Sequence, residues 1–220
     1  MDLSPDKVRM MLIQVFVLVA SVAFHEFGHA FMADRLGDDT PRRQGRVTLN
    51  PLAHADPIGT LLLPLLGAYY GGGGFGWGRP VQWNPARISR KHRMSTARVL
   101  VSIAGPGMNV LLAILLTATL AILRTQHVAM VGTQASSIIK YAVLTNFILF
   151  FFNLIPAPPL DGGHVAESMM PYKHRSTFEA YAKYGPFVIM AIALIPQLAQ
   201  IFVIPAMWCT QHVYALFGLM

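Results

Sequence analysis

Two histidines that flank a glutamate form the strongest candidate for a chemical site in this sequence. They lie in the segment His25-Glu26-Phe27-Gly28-His29. Residues i and i+4 of a helix share one face, so both imidazoles can direct a ring nitrogen at one ion. Glu26 projects to the side, where a carboxylate can act as general base. The pattern is typical of zinc hydrolases, although a lone match also arises by chance, and two histidines bonded to nearby backbone groups are the alternative interpretation.

A catalytic zinc site needs a third protein ligand and one open coordination position. Asp161 is the best candidate, because of the ten acidic residues only Glu26 and Asp161 lie in strongly apolar surroundings. Ionisable groups in such surroundings are costly and usually mark function, and a divalent cation would compensate an otherwise unpaired carboxylate. The sequence therefore predicts that His25, His29 and Asp161 hold one Zn²⁺ per chain.

The chain that leads to Asp161 is suited to line a cavity. It reads Asn153-Leu154-Ile155-Pro156-Ala157-Pro158-Pro159-Leu160-Asp161-Gly162-Gly163. The prolines end a helix and free its carbonyl groups, which lipid tolerates only where protein or water satisfies them. Gly162 and Gly163 permit a turn that other residues resist. A plain helix terminus is the alternative interpretation.

The composition places these motifs in a membrane. Of 220 residues, 54% are hydrophobic and 12% are charged, with a mean hydropathy of +0.49, whereas soluble domains average about 25% charged residues. Residues 99–123, 141–160 and 184–220 carry no charge, and residues 8–32 form a further apolar stretch. A crossing helix needs about 20 such residues. The single cysteine, Cys209, excludes an intramolecular disulfide and a cysteine-based metal cluster.

The expected fold is an α-helical polytopic membrane protein with about four to six transmembrane helices. We expect one membrane-embedded domain over residues 1–220, with its core at 8–165, C-terminal helices at 184–220, and no PDZ or other soluble domain. Residues 184–220 would span about 55 Å as one helix. With breaks at Pro196 and Pro205, either one span plus an interfacial helix or a helical hairpin can form.

Residues 58–78 are uncharged but too broken by proline and glycine to cross as a regular helix, which favours a short re-entrant or interfacial segment. Residues 47–49 and 80–83 are candidate strands, and thus candidate edges that could pair with an extended substrate. The glycines of residues 71–74 suggest either a mobile gate or a simple surface turn. The expected fold therefore includes a short re-entrant or β-containing membrane-associated segment.

The charged loops predict an orientation. Residues 33–57 and 79–98 are both rich in Lys and Arg, and short loops of this kind stay in the cytoplasm. A re-entrant segment at residues 58–78 leaves both loops on that side. The first span then begins outside, and the span at residues 141–160 runs in the same direction. The net charge of +7 is accordingly interpreted as orientation and lipid headgroup contact, not nucleic-acid binding.

The paired motifs resemble those of the site-2 protease family of intramembrane zinc metalloproteases. HEFGH and NLIPAPPLDGG carry the likeness. SIAGPGMN, from Ser102 to Asn109, resembles the family's Gly-Pro helix motif, and NPLAHADPIGT with FGWGRPVQWNP resembles its compact prokaryotic members. The resemblance covers residues 20–165. It implies that His25, His29 and Asp161 bind zinc, that Glu26 is the base, and that Asn153 positions or polarises the substrate peptide.

The resemblance also implies a function and a location. The expected activity is hydrolysis of a peptide bond in or near the transmembrane helix of single-span membrane proteins, in regulated intramembrane proteolysis. The expected location is the prokaryotic inner or plasma membrane, with the site towards the cytoplasm. The sequence does not decide between a monomer and a homo-oligomer. The alternatives are an inactive relative that binds membrane helices and a metal-ion transporter, although a transporter should show polar residues along a route.

Two further histidines need an interpretation. His164 follows Asp161-Gly162-Gly163, where many relatives have arginine. As a fourth zinc ligand it would fill the position that water needs, so we expect it to face the cytoplasm. His54 lies in a motif-like loop, and we expect it to have a structural polar role.

Overall fold

The structure is a computed structural model that describes residues 4–70, 76–126 and 133–219. Within these ranges it contains helices and no strands. The α-helices are α1 (Pro5–Arg35), α2 (Thr40–Arg43), α3 (Pro51–His54), α4 (Leu63–Tyr69), α5 (Met94–Thr125), α6 (Gln134–Asn153), α7 (Asp161–Met169), α8 (Arg175–Ala182), α9 (Gly185–Leu194) and α10 (Pro196–Leu216). A π-helix at Pro57–Leu62 continues into α4, and short 3-10 helices lie at Pro85–Arg87 and Tyr172–His174.

Three described helices, α1, α5 and α6, are long and apolar enough to cross a membrane. The α9–α10 pair raises the number to four if it is counted as one span, which is the lower end of the expected range. The two helices of that pair meet at 81°. With 21 residues, α10 alone is about 30 Å long. The bend therefore favours one span with an additional helix over an antiparallel hairpin.

The first three spans alternate in direction, as the sequence predicted. Ser21 of α1 contacts Asn146 of α6, and Asp161, which follows the end of α6, contacts His25 and His29 later in α1, so α1 and α6 run in parallel. His25 contacts Asn109 of α5, and His29 contacts the earlier residue Val101, so α5 runs the opposite way. This arrangement brings the later part of α1 and the end of α6 to one end of the bundle.

Close contact between α1 and α5 depends on a glycine. A Cβ atom added to Gly28 would lie 2.5 Å from the Ala104 carbonyl oxygen and 2.7 Å from Met108 Cγ. Farther along the bundle, α5, α6 and α10 share a core that includes Ala113, Val143 and Ala206. Gly28 thus allows α1 and α5 to pack closely, as small residues commonly do between helices in membranes.

We expect the methyl group added by Gly28→Ala to overpack the α1–α5 contact at a cost of about 1–3 kcal/mol in the free energy of unfolding. The higher helix propensity of alanine offsets about 1 kcal/mol of this cost, so the net loss should be about 0–2 kcal/mol, whereas a variant without the overlap should gain stability. Thermal unfolding of the purified protein in detergent measures the effect. Gly107→Ala in α5 is the matched control, since a Cβ there meets nothing within 4 Å. Equal stability of the two variants would contradict the prediction.

The segment after α3 folds back on itself as a hairpin. Pro57–Tyr69 is a short apolar helix, and the chain then returns to where that helix began. The backbone N–H of Trp77 donates to the Gly59 carbonyl at 3.1 Å, and that of Arg79 donates to the His54 carbonyl at 2.8 Å. Both ends of the hairpin therefore lie side by side. The candidate gate at residues 71–74 lies outside the described residues.

The expected strands are not present. Residues 47–49 lie in bends and irregular chain, where local hydrogen bonds occupy the hydroxyl and the carbonyl of Thr48. The Thr48 hydroxyl accepts from the Asn50 N–H at 3.1 Å, and the Thr48 carbonyl accepts from the His54 ring at 2.9 Å. Residues 80–83 belong to no helix or strand either, but they lie against the candidate base, since the N–H of Val81 donates to Glu26 Oε2 at 3.1 Å.

Candidate active site

The structure brings the three predicted metal ligands together. His25 Nε2 lies 3.1 Å from His29 Nε2 and 3.2 Å from Asp161 Oδ2. His29 Nε2 lies 3.3 Å from Asp161 Oδ1. The two histidines share one face of α1, and Asp161 is the first residue of α7, so the cluster joins residues more than a hundred positions apart. Both imidazoles are buried, and the carboxylate is nearly so.

Each imidazole has a hydrogen-bond partner at Nδ1, on the side away from the cluster. This outer partner fixes how the ring faces the cluster. His29 Nδ1 lies 2.7 Å from the carbonyl oxygen of Val101. A carbonyl can only accept a hydrogen bond, so in the neutral ring Nδ1 carries the proton and Nε2 keeps its lone pair. His25 Nδ1 lies 2.8 Å from Asn109 Oδ1, which has the same consequence. Both rings therefore direct a lone pair at the third group, Asp161.

This donor set fits a zinc ion. Among the described residues, the buried Oδ2 atom of Asp161 has no hydrogen-bond donor, because the adjacent His25 Nε2 presents a lone pair. Three groups that carry only lone pairs repel one another unless a cation lies between them. Ligand atoms 2.0–2.1 Å from a tetrahedral zinc ion are separated by about 3.3 Å, close to the separations between these residues.

Glycines make room for the cluster on both sides. A Cβ atom on Gly105 of α5 would overlap the ring of His29 and approach His25 Cε1 within 2.9 Å. In the first turn of α7, a Cβ on Gly162 would overlap the Leu154 carbonyl, and one on Gly163 would overlap the backbone of Pro158. The glycine of the Gly-Pro motif thus permits the close approach of α5 to the two histidines, and the Asp-Gly-Gly motif lets α7 pack against the chain that leads to Asp161.

Glu26 lies beside the cluster in the same cavity. Its side chain is buried, and Oε2 accepts the hydrogen bond from Val81. The cavity has a volume of about 870 Å³ and also contains His25, His29 and Asp161. One wall is the chain at residues 76–85 and another includes Ile189 and Met190 of α9. A cavity of this size can hold a stretch of extended peptide next to the carboxylate.

Asn153, predicted from the resemblance, lines this cavity at the end of α6. Its Nδ2 donates to the Leu149 carbonyl one turn earlier at 2.9 Å, which holds the side chain along the helix. Sequence reasoning assigned no role to Asn109, Asn146 or Ser21, which form a buried polar chain behind His25. The available signal was the presence of two amides inside the uncharged stretches 99–123 and 141–160.

The two uncertain histidines lie apart from the cluster. His164 lines the cavity with a half-exposed side chain, and its Nδ1 lies 3.9 Å from Glu167 Oε2. His54 is fully buried, and its Nε2 lies 2.9 Å from the Thr48 carbonyl. Burial lowers the pKa of His54, which favours the neutral ring that donates to this carbonyl. The position of His54 agrees with the structural polar role expected from the sequence, and the cytoplasmic facing of His164 stays a prediction.

Comparison with known proteins decides the family. The model of peptidase family M50 matches residues 13–135 and 121–196. The chain belongs to peptidase family M50. This is the site-2 protease family that the motifs resemble. No solved structure shows a significant match to the chain.

Curated members of family M50 carry names of the same kind. The chain is 37% identical over 185 residues to "Putative zinc metalloprotease YwhC" of Bacillus subtilis (strain 168), covering 83% of this chain and 80% of that protein. It is 36% identical over 191 residues to "Putative zinc metalloprotease Rip2" of Mycolicibacterium smegmatis, covering 82% of this chain and 68% of that protein. Membership in M50, the cluster and the apolar helices together make the chain a zinc metalloprotease and an integral membrane protein.

Proposed function

We propose that this M50 protease hydrolyses a peptide bond in or near the transmembrane helix of single-span membrane proteins, in regulated intramembrane proteolysis. The observation that carries the proposal is the position of the cluster. His25 and His29 lie inside α1, a helix long and apolar enough to cross a membrane, and Glu26 opens onto the same cavity. We propose that a substrate helix reaches this cavity from within the bilayer.

The proposed roles follow the geometry. His25, His29 and Asp161 hold the zinc ion, which when bound polarises a peptide carbonyl and lowers the pKa of water to about 7. Glu26 takes a proton from the attacking water on its carboxylate and later returns it to the leaving amine. Asn153, which lines the cavity at the end of α6, positions or polarises the substrate peptide. The hydrogen bond from Val81 holds Glu26 in place for the transfer.

An unwound substrate needs partners for its backbone. A peptide bond in a transmembrane helix is protected by the helix's own hydrogen bonds, so the segment to be cut must first unwind. Residues 80–83 lie beside Glu26 without being part of a helix or strand. We propose that backbone groups of this segment other than the Val81 N–H, which bonds to Glu26, pair with the unwound substrate as an added strand would. Residues 47–49 are the weaker candidate, because the Thr48 carbonyl already accepts from His54 and the segment does not contact Glu26 in the way that Val81 does.

The proposed location is the inner or plasma membrane of a prokaryote, with the site towards the cytoplasm. Basic residues that support this orientation lie near the end of the helix bundle that carries the site. Arg90, Lys91 and Arg93 are exposed in the loop before α5, and Val101, a few residues into α5, contacts His29. Exposed Lys and Arg of this kind stay on the cytoplasmic side and meet anionic headgroups.

The proposal predicts that helix-breaking residues in the substrate accelerate cleavage. A single-span substrate with Gly-Pro next to the cut should be hydrolysed about 10–100-fold faster than one with Leu-Ala. The reason is that proline removes up to about 3 kcal/mol of helix stability, and each 1.4 kcal/mol is a factor of ten. The measurement is the initial rate with the purified protein in proteoliposomes.

A soluble peptide of the same sequence is the control for this experiment. If the protein hydrolyses the peptide but neither membrane-embedded substrate, the intramembrane function is wrong while the peptidase activity stands. Equal rates for the two embedded substrates would contradict the unwinding step.

A further inference from the structure

We propose that Asn109 is a positioning residue for zinc binding, oriented by Asn146 and Ser21. Its side chain holds the His25 ring in the tautomer that directs the Nε2 lone pair into the cluster. The proposal rests on the zinc site and is independent of which substrate the protein cleaves. It goes beyond the motif likeness, which assigned no role to any of the three residues.

The orientation of the Asn109 amide follows from an obligate acceptor. Its Nδ2 lies 3.2 Å from the backbone carbonyl oxygen of Ser21. Because that oxygen can only accept, the nitrogen of the amide must face it. The other end of the amide, Oδ1, then faces His25 Nδ1 at 2.8 Å. His25 therefore carries its proton on Nδ1, and Nε2 is left free to bind a metal.

A second amide reinforces this orientation. Asn146 Oδ1 accepts from Asn109 Nδ2 at 2.9 Å. Asn146 Nδ2 donates to the Ala142 carbonyl and to the Ser21 hydroxyl, both at 2.9 Å. The Ala142 carbonyl is again an obligate acceptor, so the Asn146 amide cannot be reversed without losing a bond. The chain of contacts joins α1, α5 and α6 behind the metal ligand.

Burial makes these contacts hard to replace. Asn109 is 0% exposed, Asn146 is 1% exposed and Ser21 is 2% exposed. A hydrogen bond is electrostatically stronger in such surroundings, and a buried polar atom that loses its partner finds no water. In the other tautomer of His25, Nδ1 and Asn109 Oδ1 would oppose lone pairs at 2.8 Å. That tautomer would also place an N–H in the metal site.

The two zinc-binding histidines differ in the kind of group that serves as the outer partner. The outer partner of His29 is the backbone carbonyl of Val101, which no substitution removes. The outer partner of His25 is a side chain, so its contribution can be measured. Partners of this kind fix the orientation and tautomer of a metal-binding imidazole, and their loss typically weakens metal affinity by about 10–100-fold.

The test is a competition titration with Zn²⁺ on the purified full-length protein in detergent. We expect Asn109→Leu to weaken zinc affinity by about 10–100-fold. Asn109→Asp keeps an oxygen opposite His25 and should recover part of the loss. Thr117→Val is the matched control, because it also removes a buried hydrogen-bonding group from α5, one that bonds only within the helix to Ala113 at 2.8 Å. This control should bind zinc as the wild type does.

Substitution of cobalt(II) for zinc distinguishes a positioning role of Asn109 from a merely structural one. The visible spectrum of Co²⁺ reports the ligand geometry, so Asn109→Leu should alter it and Thr117→Val should not. A folded Asn109→Leu variant with wild-type zinc affinity would overturn the proposal, as would an equal loss in Thr117→Val. If Asn109→Leu fails to fold, the smaller variant Asn109→Ala decides, since it also removes the oxygen opposite His25. Wild-type zinc affinity together with an unchanged cobalt spectrum in Asn109→Ala would overturn the proposal. A wild-type protein without zinc affinity would overturn the zinc site itself.

Discussion

Glu26→Gln should abolish most peptide hydrolysis while the protein keeps its zinc. The substitution preserves the size of the side chain, and glutamine retains an oxygen that can accept the hydrogen bond from Val81. The amide cannot take a proton from water at neutral pH, so the loss is that of a general acid–base catalyst. Such catalysis contributes about 10²–10⁴-fold to rate, and turnover should fall by that factor. His25, His29 and Asp161 remain in place to hold the metal.

Two measurements on the same preparation check this expectation. Metal analysis should give about one zinc ion per chain for wild type and variant, and initial rates on a membrane-embedded substrate should differ by the factor given. Glu179→Gln is the control, because Glu179 is exposed on α8, away from the cavity. It should retain wild-type turnover. Normal hydrolysis by Glu26→Gln would refute the assigned base, and loss of zinc from that variant would assign Glu26 to the metal site instead.

The convergence of the three ligands could be predicted because a membrane restricts depth. Each apolar stretch must cross about 30 Å of hydrocarbon, so the number of residues from the end of a span gives the depth of a side chain. Loop charges gave the direction of each span. Because the first span and the span at residues 141–160 are predicted to run in the same direction, His25, His29 and Asp161 all belong to the later ends of parallel spans. The structure brings them within 3.3 Å of their neighbours in the cluster.

The partners behind the ligands could not be predicted in the same way. Asn109 is visibly polar in an apolar stretch, but depth alone does not tell which face of α5 it occupies. Its contacts lie 84 and 37 positions away, on α1 and α6. They depend on the rotation of each helix about its axis, which in turn depends on close contacts such as Gly28 against Ala104. Sequence periodicity in a helix surrounded by lipid carries little information about that rotation.

The strand prediction failed for a local reason. Val47-Thr48-Leu49 has the composition of a strand, but a strand needs an edge with free N–H and C=O groups beside it. The neighbouring His54 and Asn50 bond to Thr48 instead. Arg46 also turns inward, and its guanidinium donates to the carbonyl oxygens of Ala53 and Arg79. Side-chain to backbone bonds of this kind compete with sheet formation, and their partners were not evident from spacing.

Asp161→Ala should lose its zinc but keep its fold. This result would distinguish a metal ligand from a structural carboxylate. Removing even an outer partner of a metal-binding histidine costs about 10–100-fold in affinity, so removal of a direct ligand should cost more than about 100-fold. Hydrolysis should then fall below detection at ordinary zinc concentrations. Glu167→Ala is the matched control, because Glu167 lies on the same helix but its carboxylate is near His164 and Arg175. That variant should keep its zinc.

Thermal unfolding with and without added zinc distinguishes the two roles of Asp161. In the metal-free protein the carboxylate is buried among lone pairs with no donor to Oδ2, so its removal should leave stability unchanged or raise it. Zinc binds only the folded state and should stabilise the wild type by about 2.7 kcal/mol at a hundredfold excess over its dissociation constant. Asp161→Ala should lack this increment. If zinc still raises the unfolding temperature of Asp161→Ala as it does that of the wild type, Asp161 is not a ligand.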